Sequence, residues 1–431
     1  MAHPSKPTSN RILGADGVRA LAALWVFFHH VIDNAGLKPE NPLLQIVHNG
    51  SLGVPIFFVL SGMLLARPFW QAYLTDQPMP SLRVYTQRRL ARIVPGYLVC
   101  LLVVYAVYHG VSGDGLPALV AGALFVNSWH WATFFPVRGD PPLWTIGVEM
   151  MFYVMLPMLM AVIFALRKKI SGVALCVAAM GGIVAIQFAI TSHVVATQVT
   201  GVAPVDQERL QLAADWITHR HPVSLFAHFI FGILAARWML HFEQRATNES
   251  PPAIGDAAIA SHAVGAAQGA IARRSLFNRY DALVALTAIA LIIESTPSLL
   301  QSLPGLWKVG SLITQARLGL IPYHWPTFPM LVMVILALLP QTASLGRWLD
   351  SRFMRFTATV SFGIYIWHFP LQMGLLAAWP QCKETAEGLL LFAAASLALS
   401  YAVASLSWYV IEQPVLKLAH RSRGKKQGRV G

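Results

Sequence analysis

Along this chain, long uninterrupted apolar runs alternate with short polar ones. The spacing fits neither an amphipathic soluble helix nor an alternating strand. Ten runs have about the length a helix needs to cross a bilayer: roughly 18–35, 51–70, 96–112, 143–166, 170–191, 223–241, 282–299, 324–340, 358–377 and 388–411. Because the runs are continuous, a closed membrane barrel is excluded. The pattern predicts an all-α fold, a polytopic membrane helix bundle of about ten transmembrane helices. A further apolar piece, LPALVAGALFVNSW at 116–129, is short for a crossing and runs into a Trp/Pro-rich loop.

Charge settles whether that piece crosses. If it does not, and both termini are cytoplasmic, 25 of the 32 Lys and Arg fall in inner segments, the asymmetry that the positive-inside rule expects. If it crossed, the RKK at 167–169 and every later basic cluster would change sides. The expectation is therefore a multi-pass protein with a membrane domain over 1–411 and a basic cytoplasmic tail over 412–431.

Composition sharpens this picture without changing it. The chain is 56% hydrophobic and 12% charged, with a mean hydropathy of +0.55. Its net charge of +13 lies in basic loops and in the tail HRSRGKKQGRVG, which set topology and can touch anionic lipid. No soluble module presents a basic face with interleaved aromatics, so nucleic acid is not an expected partner. The three cysteines (Cys100, Cys176 and Cys382) are far apart and offer no metal-ligand spacing. Asp16 and Arg19 interrupt the first run near its start and no small-residue cleavage site follows it, so it reads as a retained span.

Ionisable groups inside a membrane are costly and mark functional paths. Here they form two layers. In RALAALWVFFHH (19–30), Arg19 and His30 are eleven residues apart. That spacing leaves an offset of only about 20° around the helix and about 16 Å along it. His29 points elsewhere. On the same depth scale Glu149 lies about six residues inside the fourth span, with His228 and Glu294 at similar outer depths. A His level with a Glu in an apolar bundle suits proton transfer, the imidazole taking the proton and the carboxylate orienting it. His29, His228 and Glu294 taken singly read as interfacial or packing residues. At the opposite mouth, YTQRRLARIVPGY (85–97) puts Arg89 and Arg92, or Arg88 and Arg92, on one helical face. Paired guanidinium forks suit a phosphate-rich ligand.

These stretches resemble the acyltransferase 3 family of bacterial membrane O-acyltransferases. GADGVRALAALWVFFHH resembles that family's opening pattern, with its Arg and His falling on Arg19 and His30. GVPIFFVLSGMLL (53–65), RRLARIVPGY (88–97), LWTIGVEMMFY (143–153) and FGIYIWHFP (362–370) follow in the family's order, and WYVIEQP closes the match. They carry Arg89 and Arg92, Glu149, and Trp367 with His368. The chain departs from the pattern at Pro55, where an acid is usual, and at Gly147, Met150 and Met151.

The resemblance implies an enzyme of the bacterial inner membrane. It would transfer an acyl group, most often acetyl, from cytosolic acyl-CoA to a hydroxyl of an extracytoplasmic carbohydrate such as lipopolysaccharide or exopolysaccharide, with no metal. Arg89 and Arg92, with Arg19, would hold the coenzyme A phosphates. His30 would act as general base oriented by Glu149, and direct transfer and an acyl-histidine route both stay open. Two alternatives remain. The acceptor could be a small glycosylated metabolite or a lipid-linked oligosaccharide. Outside the enzyme class, charges at two depths would also serve a proton-coupled transporter or flippase, although no repeated halves are visible.

Overall fold

The structure is a computed structural model that describes residues 11–39, 41–109, 115–167, 169–196, 216, 220–248, 277–303, 305, 308, 311 and 321–419. Each predicted span meets one helix: α1 (Ala15–Ala35), α2 (Gly53–Leu74), α3 (Leu82–His109), α4 (Trp144–Leu166), α5 (Gly172–Ala196), α6 (Pro222–Asn248), α7 (Arg279–Ser295), α8 (Thr327–Leu338), α9 (Arg352–Ala378) and α10 (Ala386–Ser407). No strand occurs among the described residues. Eight of these helices are long and apolar enough to cross a membrane.

The other two fall short of the expectation. The 17 residues of α7 and the 12 of α8 rise only about 26 and 18 Å, against a hydrocarbon core of about 30 Å. Tyr323 and His324, both with positive φ, lie in the turn that leads into α8, and α8 packs against α7 and α6. The 116–129 segment forms only the eight-residue helix Leu116–Ala123 followed by 3-10 turns at Asn127–Trp129 and Trp131–Thr133. It does not make a crossing. The Ala/Gly-rich part of the 242–281 loop and most of the 192–222 loop lie outside the described residues.

Burial shows why the helices assemble. Along α3 and α4 the exposed face carries Leu102, Val103 and Val107, and Val154, Met158 and Val162. Such apolar outer faces need lipid as their solvent. Inward, association rests on small residues that let backbones meet. In the α2–α6 crossing, a Cβ on Gly62 would lie 2.3 Å from the Phe229 carbonyl oxygen, and one on Gly232 would lie 2.0 Å from that of Val59. Aromatic rings fill the space beside it: Phe152 stacks on Phe229 at 3.8 Å and Phe58 on Phe229 at 4.5 Å.

A second seam joins α1, α9 and α10. Gln372 of α9 accepts from Asn34 and donates to the Phe27 carbonyl of α1. Gly363 packs on Ala404. α10 does not stop at Ser407: it continues through a π turn, Trp408–Glu412, and on to residue 419. Glu412, at the start of the expected tail, is therefore buried in the bundle.

At the start of α7, Asn278 and Asp281 form a capping box. Burial acts to raise the Asp281 pKa, yet backbone N–H groups of Leu345, Asn278, Ser344 and Ala343 together hold the carboxylate below its usual range. This contact ties α7 to the connection between α8 and α9.

The α2–α6 crossing gives a direct prediction. Gly232→Val should abolish recovery of monodisperse protein in detergent, because its side chain enters the Val59 backbone. Gly374→Ala, where an added Cβ meets nothing within 4 Å, should be recovered normally. Size-exclusion profiles of the two variants check this.

Candidate functional site

A cavity of about 110 Å³ opens between α1, α2, α3, α4 and α9. Its polar wall comes from Arg19 of α1, Ser61 of α2, Arg89 and Arg92 of α3, Glu149 and Tyr153 of α4, and Ser361 of α9. Phe57, Phe58, Leu64 and Phe362 supply apolar wall. Because α3 begins at Leu82 and runs without a break into its membrane portion, the arginine cluster is part of the span itself. Of the three arginines there, Arg89 and Arg92 line the cavity, the face that the three-residue spacing predicts.

The three cavity arginines are not equivalent. Arg92 is already committed. Its Nη1 forms an ion pair with Glu412 at 3.5 Å, its Nη2 donates to the Thr359 carbonyl at 3.2 Å, and its guanidinium lies 4.6 Å from the Trp408 ring centre. Glu412, only 1% exposed, also accepts from Ser407. Withdrawing Arg92 would strand a buried carboxylate, so this guanidinium is anchored. The π turn that presents Trp408 and Glu412 is a helix irregularity of the kind found near functional sites. Arg19 and Arg89, by contrast, make no hydrogen bond or ion pair among the described residues. They are the cations that a ligand in the cavity would meet.

Glu149 lies in this same cavity and accepts from Ser61 Oγ at 3.2 Å and from the Tyr153 hydroxyl, both through Oε1. His30 is elsewhere. Its Nδ1 lies 3.1 Å from His368 Nε2 and 3.0 Å from the Val26 carbonyl. His368 Nδ1 in turn lies 2.7 Å from the Tyr365 carbonyl and 3.1 Å from that of Ile364. These contacts assign the tautomers. His368 Nδ1–H must donate to a carbonyl, which leaves Nε2 as an acceptor for His30 Nδ1–H. His30 Nε2 is then the unprotonated nitrogen, free to act as a base. A carbonyl, a histidine and the base form one chain, comparable in logic to a base oriented by a third group.

The expected pairing of His30 with Glu149 is therefore not what the structure holds. Thr145 Oγ1 meets the Tyr365 hydroxyl at 2.9 Å, which levels α4 with α9. Glu149 lies four residues further along α4 in one direction and His368 three residues along α9 in the other, which separates them by roughly 10 Å. The depth count fails because α4 does not start at the protein surface. Asp140, Pro142 and Leu143 are buried, so the chain enters α4 from inside the bundle.

The other candidates are occupied by packing. His29 bonds the His48 carbonyl and sets its ring edge to face with that of His30 at 4.8 Å. His228 bonds the Pro322 carbonyl at 3.1 Å, and Glu294 holds His324 and Thr327. Trp144 stacks on Phe134 at 5.0 Å, whereas Trp129 stays half exposed at the loop surface. Three residues that complete the site, His368, Tyr365 and Glu412, have no role predictable from spacing. Each lies in a motif quoted above, but its partner is hundreds of residues away or on another helix.

A family model described as an acyltransferase domain matches residues 12–409. The acyltransferase MdmB of Streptomyces mycarofaciens is 31% identical over 161 residues, 35% of this chain and 40% of that one. A Bacillus subtilis strain 168 protein with the provisional name peptidoglycan O-acetyltransferase YrhL is 23% identical over 431 residues, 96% of this chain and 56% of that one. A Staphylococcus aureus strain COL protein, provisionally named O-acetyltransferase SACOL0978, is 27% identical over 172 residues, 37% of this chain and 26% of that one. The matches thus span between about a quarter and a little over half of these relatives' lengths. No solved structure matches the chain.

The inequality of the arginines is testable without any substrate. Arg92→Ala should lower thermal stability substantially, by roughly 3 kcal/mol, because it strands Glu412. Arg89→Ala should leave it within about 0.5 kcal/mol, since no partner is lost. Equal melting temperatures for the two variants would show that the Glu412 ion pair does not anchor Arg92.

Proposed function

The chain belongs to the acyltransferase family matched over residues 12–409, and on that premise we propose that it is a membrane O-acyltransferase. It takes an acyl group, acetyl in the first instance, from acyl-CoA and delivers it to a carbohydrate hydroxyl. The observation that carries this reading is the pair Arg19 and Arg89, unpaired among the described residues, in an apolar-walled cavity next to a free imidazole nitrogen. Two guanidinium groups on one cavity wall favour a multiply charged phosphate ligand. The relatives' names support acetyl as the acyl group and a cell-wall glycan as the acceptor class.

In this reading the coenzyme A phosphates meet Arg89 and Arg19, with Arg92 fixed behind them by Glu412. The pantetheine arm runs along the cavity toward His30. His30 Nε2 takes the acceptor hydroxyl proton as the oxygen attacks the thioester carbonyl. The new C–O bond forms, the C–S bond breaks, and the departing thiolate takes the proton from the imidazolium. His368 holds His30 in the required tautomer. Glu149 acts on the donor side rather than on His30. Its Oε2 makes no hydrogen bond among the described residues and can accept from a pantetheine amide. The lysine and arginine asymmetry supports a bacterial cytoplasmic membrane with the arginine mouth facing the cytosol.

His30→Ala should reduce transfer of label from acetyl-CoA to envelope glycan by roughly 100-fold or more, with assembly unchanged, since general-base contributions are typically 10²–10⁴. Label on the glycan from wild-type protein, lost in this variant, supports the reading. Accumulation of substrate inside vesicles without acylation would instead identify a carrier.

A further inference from the structure

The cavity and the His30–His368 pair are neighbours without being continuous. Neither histidine lines the cavity wall. The wall facing them is built by two rings, Phe57 of α2 and Tyr365 of α9, which meet edge to face with centroids 5.9 Å apart. Tyr365 has cavity on one side and the histidine pair on the other, its ring centre 6.0 Å from that of His368. A group moving from the arginine mouth to His30 Nε2 must therefore pass the Phe57–Tyr365 contact.

The two rings differ in how firmly they are held. Tyr365 is buried, and its hydroxyl is fixed by Thr145 Oγ1 at 2.9 Å and the Pro142 carbonyl at 3.2 Å. Phe57 is only half buried, between the fully packed Ile56 and Phe58, and has no polar anchor. A fixed ring and a rotatable one make a constriction of adjustable but limited width.

We propose that the Phe57–Tyr365 pair is an aromatic constriction that selects the acyl group by length, admitting acetyl and rejecting butyryl and longer chains. Phe57 is the specificity-determining side chain. The inference rests on the acyl-CoA reading above and names the donor's acyl class. A thioester methyl group passes between the rings with a small rotation of Phe57. With the thioester carbon held level with the rings, each added methylene must find room among the packed side chains around Phe57, and one methylene in an apolar site is worth roughly 10- to 200-fold in kcat/KM.

The test uses inverted membrane vesicles containing the full chain and native envelope carbohydrate, supplied with labelled acetyl-, butyryl- or hexanoyl-CoA. Wild-type protein should prefer acetyl over butyryl by about tenfold or more in kcat/KM. Phe57→Leu and Phe57→Ala should each bring the butyryl-to-acetyl ratio up by about tenfold or more. Equal use of acetyl and butyryl by wild-type protein overturns the constriction even if no variant assembles. So does acetyl transfer by either Phe57 variant with an unchanged ratio. Failure of wild-type protein to transfer any acyl group overturns the underlying acyltransferase reading, and the constriction with it.

Discussion

A guanidinium ion inside an apolar bundle is tolerable only if something nearby answers its charge, and the structure is arranged around that constraint. Arg67 meets Glu243, and Arg92 meets Glu412, the Thr359 carbonyl and the Trp408 ring. Arg19 and Arg89 make no hydrogen bond or ion pair among the described residues and are answered only across a common cavity, where Glu149 supplies a carboxylate. With one carboxylate beside them, that of Glu149, the cavity favours an anion. In the proposed reading this preference holds the donor phosphates at the α3 entrance, while α10 continues past Ser407 and brings Glu412 to Arg92. If Arg92 had to serve both the bundle and the ligand, binding would cost the fold a buried ion pair.

The opposite end depends on a different economy. The α1–α9 seam, held by Gln372 bridging Asn34 and the Phe27 carbonyl, sets His30 against His368. His368 is then tied to its own helix through the Tyr365 carbonyl, so one nitrogen of His30 is left as the base. Between charge and base stand two rings, one of them pinned to the loop before α4. In the proposed reading donor binding and chemistry occupy separate parts of one bundle. Such a division lets the arginine end hold a large anionic ligand while only a small group reaches the imidazole.

Much of this was legible in the residues. Continuous apolar runs located the ten helices α1–α10 among the described residues, and basic-residue asymmetry correctly kept 116–129 from being a span. The 3.6-residue period put Arg89 and Arg92 on the cavity face, but it did not show that the His29 ring meets that of His30 edge to face, 4.8 Å between centroids. Periodicity, however, fixes only which face of a helix a residue occupies, not which helix that face meets. His30 and His368, or Arg92 and Glu412, are more than three hundred residues apart, and no spacing rule joins them. Depth was misjudged for the same kind of reason. Counting from the end of an apolar run assumes that the run begins at the surface, and α4 begins inside the bundle after the buried Asp140–Leu143 stretch. Runs 282–299 and 324–340 were apolar enough to read as spans, but a left-handed turn at Tyr323 and His324 shortens the second and leaves both as a packed pair of short helices.

The central claim is that a donor anchored at Arg19 and Arg89 presents its reactive carbon to His30. The most direct measurement is affinity labelling with bromoacetyl-CoA, in which a histidine nitrogen displaces bromide and keeps the carbon, followed by peptide mass spectrometry. Alkylation of His30 is expected, blocked by excess acetyl-CoA and reduced in Arg89→Ala, in vesicles that expose the arginine mouth. Alkylation confined to other residues, or labelling of His30 that free acetyl-CoA does not suppress, would contradict it.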